Sequence, residues 1–136
     1  MHRQSTTEAR QTIFEQAAEI VATEYARPLR MDEVAQRLST SPRHLQRVFS
    51  DTGLGFRSYL RRVRMAHALD LLSNSEIPIN HVARQVGYSD PGQFSKAFRR
   101  TYGVTPSRAR EVDALHPAAG VSGDTARVPH PGPRRL

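Results

Sequence analysis

The sequence predicts an all-α fold of about seven helices, built as two matched pairs of short helices joined by one long helix. Three observations carry that expectation. Apolar residues recur at the spacing of a helix packed on one face from about residue 5 to about residue 112. Pro42, Pro91 and Pro106 stand where helices start, and Gly53, Gly55 and Gly103 where they end. A pattern of two short helices also occurs twice.

Residues 5–25 read as an amphipathic helix. Ile13, Ala17, Ile20 and Val21 share a face that Phe14, Ala18 and Tyr25 widen, and Glu8, Glu15, Glu19 and Glu24 mark its wet sides. Pro28 ends it. A short helix over 31–38 turns Val34, Ala35 and Leu38 inward. Ser39-Thr40-Ser41 supply a turn and cap, and Pro42 opens the next helix, 42–51, with Leu45, Val48 and Phe49 on one face. The long helix covers 56–73. Its apolar stripe is Phe56, Tyr59, Leu60, Val63, Ala66 and Leu69; Arg57, Arg61 and Arg64 form a basic stripe elsewhere, with Arg62 beside it, and Asn74 and Pro78 close it. The short pair then recurs. Residues 79–86 bury Val82, Ala83 and Val86; Gly87-Tyr88-Ser89-Asp90 turn the chain; Asp90 caps a helix over 91–102 that buries Phe94, Ala97 and Phe98. A last short helix runs over 106–112. The domain is thus 5–112, with the first pair within 31–53 and the second within 79–103. Residues 113–136, rich in Pro, Ala, Gly and Val without periodicity, read as a disordered tail.

With 136 residues the chain suits one domain, and it lacks a long apolar run that would cross a membrane. Its first seven residues have no apolar stretch behind their charge, so no secretory signal is read and the expected location is cytoplasmic. The absence of cysteine excludes disulfides, thiolate metal sites and cysteine nucleophiles; the six histidines fall at no metal-ligand spacing. No Ser-His-Asp set, paired carboxylates or Gly-rich phosphate loop is visible, so no enzyme, cofactor or metal is expected. The net charge of +7 is unevenly spread. Residues 1–40 hold five Arg against six acids, residues 41–110 eleven Arg and one Lys against four acids, and residues 111–136 three of each. A concentrated basic block points to a polyanion such as nucleic acid.

The repeat says more than the charge. Asp32-Glu33-Val34-Ala35-Gln36-Arg37-Leu38 matches Asn80-His81-Val82-Ala83-Arg84-Gln85-Val86 at an offset of 48, and Leu45-Gln46-Arg47-Val48-Phe49 matches Phe94-Ser95-Lys96-Ala97-Phe98 at an offset of 49. The slip of one lies in the turn. A Val-Ala pair, a short turn and an apolar-x-basic-apolar-Phe helix form a helix-turn-helix pattern: the small Ala lets the second helix cross closely, and the second helix's outer face is shaped to enter a major groove. A connecting helix of about 17 residues spans roughly 25 Å. With its flanking turns it could present both second helices to one side of a duplex whose successive major-groove faces lie about 34 Å apart.

These residues also carry a resemblance. Over about residues 12–110 the sequence resembles the DNA-binding domain of the AraC/XylS family of transcription regulators. The matching motifs are Leu45-Gln46-Arg47-Val48-Phe49, Tyr59-Leu60 with Arg64, Ile79 with Val82-Ala83 and Val86-Gly87-Tyr88, and Phe94-Ser95-Lys96-Ala97-Phe98 through Gly103-Val104-Thr105-Pro106. The resemblance implies a homeodomain-like pair of helix-turn-helix subdomains on a linker helix, binding to promoter DNA, and an activator that has RNA polymerase as a candidate partner. It further implies similarity to the short stand-alone members without an effector domain, and the two units in one chain make a monomer on DNA the expected form. Three departures qualify it. The segment between Phe49 and Tyr59 is one residue shorter than the family's usual pattern, so a shifted exit from the first unit is expected. Ala109 stands where an aromatic is usual, so the last helix is expected to dock weakly. Pro91 and Gly92 replace polar side chains early in the second recognition helix, so weaker readout is expected there.

On either ground the base-reading candidates are Arg43, Gln46 and Arg47 in the first unit and Gln93 and Lys96 in the second, because Arg and Lys suit guanine and Gln suits adenine. Ser41, His44, Arg61, Arg62, Arg64, Ser89, Ser95, Arg99 and Arg100 are phosphate-contacting candidates. Packing is the alternative for His44, and a structural hydrogen bond into the core is the alternative for Arg64. Tyr59, Tyr88 and Phe98 read as core. The competing functions are a nonspecific architectural DNA binder, which needs the charge but no reading face, and a protein-interaction module using the acidic sides of the first helix, or the severed half of a larger regulator whose sensor is missing.

Overall fold

The computed structural model describes residues 2–115, with side chains over residues 7–112. Among the described residues there are seven helices and no strand: α1 (His2–Glu24), α2 (Met31–Arg37), α3 (Pro42–Ser50), α4 (Phe56–Asn74), α5 (Ile79–Gln85), α6 (Pro91–Tyr102) and α7 (Pro106–Leu115). The order and type of the elements are those expected, with boundaries displaced by three residues at most. One displacement is a correction. Helix α7 runs through residues 113–115, which the sequence reading gave to the tail; residues 116–136 of that expected tail lie outside the described residues.

Each unit is a three-helix assembly, α1 with α2 and α3, then α4 with α5 and α6. The two turns are built alike. Thr40 donates its amide to the Ala35 carbonyl at 2.9 Å, and Tyr88 donates to Ala83 at 2.9 Å. The chain reverses through a left-handed residue each time, Ser39 at φ 57° and Gly87 at φ 100°. Ala35 and Ala83 are fully buried, which is the close crossing that only a small side chain permits. The recognition helices start on matching caps. Ser41 Oγ accepts from the His44 amide at 3.0 Å and Asp90 Oδ1 from the Gly92 amide at 2.8 Å, each followed by proline in the first turn.

Among the described residues there are two hydrophobic cores. The first gathers Phe14, Ala17, Ala18 and Val21 of α1, Val34 and Ala35 of α2, Leu45, Val48 and Phe49 of α3, and Phe56, Tyr59, Leu60 and Val63 of α4. The second gathers Met65, Ala68 and Leu72 of α4 with Val82, Ala83 and Val86 and with Phe94, Ala97 and Phe98. Helix α4 therefore changes face midway. At about 100° per residue, its first buried set centres roughly opposite its second. This corrects the continuous stripe read from the sequence: Met65, Ala68 and Leu72 are buried, whereas Ala66 and Leu69 are only half-buried. A stripe on one face cannot serve two cores that lie on opposite sides of one helix.

The duplication also extends beyond the hairpins. Arg64 of α4 donates from Nε to the Tyr25 carbonyl at 2.7 Å and from Nη2 to the Arg27 carbonyl at 3.0 Å, at the end of α1. Arg110 of α7 donates from Nε to the Leu72 carbonyl at 3.2 Å and from Nη2 to the Ser75 carbonyl at 3.2 Å, at the end of α4. Helix α4 closes on α1 as α7 closes on α4. Ala109 is half-buried against the second core, so the docking expected to be weak for want of an aromatic ring is supplemented by the Arg110 fork.

Phe49 centres the first core, with ring centroids 5.2 Å from Phe14, 5.4 Å from Phe56 and 5.4 Å from Tyr59. Its truncation in Phe49→Ala should remove about 3–5 kcal/mol of stability, measured by urea denaturation. A loss under about 1 kcal/mol would show that the ring is not packed in this way.

Candidate nucleic-acid interface

Helix α3 divides cleanly by face. Leu45, Val48 and Phe49 are buried, and Arg43, Gln46 and Arg47 are exposed. Helix α6 does the same, with Phe94, Ala97 and Phe98 buried and Gln93, Lys96, Arg99 and Arg100 exposed. Each sequence-predicted reading residue is thus on the outer face of its helix. Pro91 and Gly92, also exposed, leave the first two positions of α6 without a side chain that can hydrogen-bond outward.

The phosphate candidates separate. Ser41 sits at the N-cap of α3; its oxygen accepts from the helix, and its O–H remains available to donate. His44 is half-buried, consistent with packing as well as contact. Ser89, Arg62, Arg99 and Arg100 are exposed and Ser95 is half-buried. Arg61 is half-buried with Nη2 3.4 Å from Ser58 Oγ. Tyr59, Tyr88 and Phe98 pack inside, as expected: Tyr59 and Phe98 are buried and Tyr88 packs half-buried on the second core. Burial pushes the Tyr59 hydroxyl up to about 12, so this ring stays neutral at any working pH.

Arg64 is a correction to the phosphate set. Its Nε and Nη2 both point inward to carbonyls of the α1 terminus, and its guanidinium lies 5.5 Å from the centre of the Tyr88 ring. Burial holds its pKa below the ordinary arginine value. The basic stripe of α4 fails at this residue because the helix changes its buried face here. Sequence reading missed the matching role of Arg110, although the repeat that paired the hairpins could have found it.

The paired arginines among the described residues all lie between Arg10 and Arg37. Among the described residues, Arg10 pairs with Asp51 at 2.9 Å, Arg27 with Glu24 and Glu33 at 3.2 and 3.0 Å, Arg30 with Asp32 at 3.4 Å, and Arg37 with Glu24 at 2.7 Å. Arg37 grips Glu24 through both Nη atoms, at 2.8 and 2.7 Å, and this holds the Glu24 carboxyl below its ordinary range. No Arg or Lys from Arg43 onward has a carboxylate partner among the described residues. Arg84 and Arg108, which are not among the contact candidates expected from the sequence, are further exposed cations of this kind. The acidic residues thus neutralise the first part of the chain and leave the recognition helices positive.

No helix of the described residues is long and apolar enough to cross a membrane, and no group of three or more His, Asp or Glu residues among them could hold a metal ion. Comparison with known proteins agrees with this surface. A helix-turn-helix domain family matches residues 34–111. The transcriptional activator RhaR of Salmonella schwarzengrund is 34% identical over 116 residues, covering 82% of this chain and 41% of that protein. The C-terminal domain of AraT, a response regulator from Geobacillus stearothermophilus, superposes with a TM-score of 0.71 at 32% identity, covering 74% of this chain and 84% of that one. The DNA-binding domain of the transcription factor AdpA, solved in complex with a target DNA, gives a TM-score of 0.70 at 26% identity, covering 77% of this chain and 96% of that one. The chain spans about two fifths of the length of the curated relatives it matches. With its two matched hairpins, its uncompensated outer faces and these likenesses, the chain belongs to the AraC-type helix-turn-helix family of DNA-binding transcription regulators.

Proposed function

We propose that this protein binds promoter DNA sequence-specifically and activates transcription, inserting α3 and α6 into successive major-groove segments as a monomer in the cytoplasm. One observation carries the reading. Both recognition helices bury their apolar face completely and turn outward polar and cationic side chains that have no carboxylate partner among the described residues. An unpaired cation on a groove-sized helix attracts phosphate, and a Gln beside it adds sequence discrimination. Helix α4, at 19 residues, is about 28 Å long, a length suited to separating two groove contacts.

In this reading Arg43, Gln46 and Arg47 read bases from α3, and Gln93 and Lys96 read fewer from α6, which opens on Pro91-Gly92. Ser41, His44, Arg61, Arg62, Ser89, Ser95, Arg99 and Arg100 hold phosphates. RNA polymerase is the proposed downstream partner. Selection of bound duplexes from randomised DNA tests the reading directly: enrichment of a bipartite motif supports it. A flat pool, with equal affinity for random competitor, would instead make the protein an architectural binder.

Two variants separate the proposed roles. Arg47→Ala should cost about 1–3 kcal/mol on the selected site and relax preference at one base pair; equal loss on selected and random duplexes would remove Arg47 from the reading set. Arg61→Ala should weaken all duplexes alike and lower the slope of log affinity against log salt by about one. An unchanged slope would remove it from the phosphate set. With roughly six to ten phosphates held, wild-type affinity should fall about 10³–10⁵-fold between about 50 and 200 mM salt. A titration flat over that range would contradict phosphate-dominated binding.

A further inference from the structure

Arg64 occupies the one position of α4 between its two buried sets: Val63 belongs to the first core and Met65 to the second. From there it touches both units. Toward the first, Nε and Nη2 hold the Tyr25 and Arg27 carbonyls at 2.7 and 3.0 Å. Toward the second, the guanidinium lies against the turn that leads into α6. A Cβ placed on Gly87 would fall 2.9 Å from both Cζ and Nε of Arg64, and the Tyr88 ring centre is 5.5 Å from Cζ. Gly87 is therefore required twice, by its φ of +100° and by the guanidinium packed on it. The equivalent residue in the first turn, Ser39, keeps a side chain at φ 57°, inside the left-handed region that L residues can adopt, whereas Gly87 lies beyond it.

Tyr25 reinforces the same junction. It packs on both cores and stacks on His67 of α4, with ring centroids 4.0 Å apart and planes 9° from parallel. These contacts tie the units together in addition to α4 itself. A single helix ties two bodies along a line and leaves them free to bend and twist about it. A second tie, from the end of α1 through Arg64 to the α5–α6 turn, fixes the remaining angles.

We propose that Arg64 is a positioning residue that clamps the two helix-turn-helix units in one relative orientation and so sets the half-site spacing the protein accepts. This rests on the bipartite DNA reading above, with Arg64 itself making no DNA contact. Two sites held rigidly at matching separation bind far more tightly than the same sites on a loose joint, because the second contact forms at high effective concentration.

The test uses the full chain, with Arg64→Gln to remove the fork and Gly87→Ala to displace it while keeping its charge. Each is titrated on the duplex selected by wild type, on the same duplex with one half-site scrambled, and on versions with one to three base pairs inserted between half-sites. Both variants should lose about tenfold or more on the intact duplex, bind the half-scrambled duplex within about twofold of wild type, and flatten the spacing profile. Equal losses on the intact and half-scrambled duplexes with a salt slope lowered by about one would make Arg64 a phosphate contact and overturn the proposal; so would an unchanged spacing profile in either folded variant. If Arg64→Gln fails to fold, Gly87→Ala decides alone. A second readout needs no DNA. Amide residual dipolar couplings of the free protein should fit one alignment tensor across both units in wild type and require two in the variants. One tensor in all three proteins overturns the clamp, and this result holds even if wild type selects no sequence and the regulator reading itself fails.

Discussion

One helix has to close two hydrophobic cores, and the rest of the architecture answers to that constraint. A helix buries one stripe comfortably. Helix α4 buries two, on roughly opposite faces, one in each half of its length. Between them the helix must pass from one side to the other, and the residue at the crossing cannot belong wholly to either core. Arginine suits that place because its aliphatic stem packs against apolar neighbours while its planar fork reaches polar atoms beyond them. The polar atoms available are the carbonyls at the end of α1, which have no partner within their own helix. Helix α1 has no basic residue in its own last turn, and neither does α4. Arg64 and Arg110 supply from a distance the cation that each C-terminus lacks. The same device, used twice, joins α1 to α4 and α4 to α7.

Charge placement follows a related division. Exposed ion pairs add little to stability, so the pairs among Arg10, Arg27, Arg30, Arg37 and their carboxylates do not explain the fold. They matter by cancelling charge. Arg37 and Arg27 converge on Glu24 and Glu33, and Arg10 on Asp51, which leaves the α1–α2 side nearly neutral. Beyond residue 40 the remaining carboxylates are few, and Asp90 is engaged with an amide at the start of α6. The net positive field therefore originates from α3, α4 and α6, where the proposed interface lies, rather than from the surface at large.

Much of this was legible in the sequence because the signals were local. The hairpins announced themselves through Val34-Ala35 and Val82-Ala83, through the capping Ser41 and Asp90, and through the prolines after them, all of which the structure uses as read. Outward placement of Gln46, Arg47, Gln93 and Lys96 followed from periodicity. What periodicity could not reveal was the change of face in α4, because a window of one period averages two stripes into one and so favoured Ala66 and Leu69 over Met65 and Ala68. Nor could it separate Arg64 from Arg57 and Arg61. Their spacing places the three on one flank, and only the approach of α1 and of Gly87, each distant in sequence, turns one of them inward.

The two units, though copied, are not equivalent, and their differences have one direction. The first recognition helix starts with Ser41, a neutral cap with a hydroxyl proton left to donate, and then presents Arg43 within its first turn. The second starts with Asp90, whose carboxylate places a negative charge at the end of the helix that would otherwise attract phosphate, and continues with Pro91 and Gly92. Asp90 stabilises α6 more strongly as a cap than it would favour any polyanion beside it. On the proposed reading, then, the first unit supplies most of the base discrimination. The second supplies reach and backbone contact through Lys96, Arg99 and Arg100. A unit that contributes mainly position is useful only if its position is fixed relative to the other, and that requirement falls on the residue where the two cores of α4 meet.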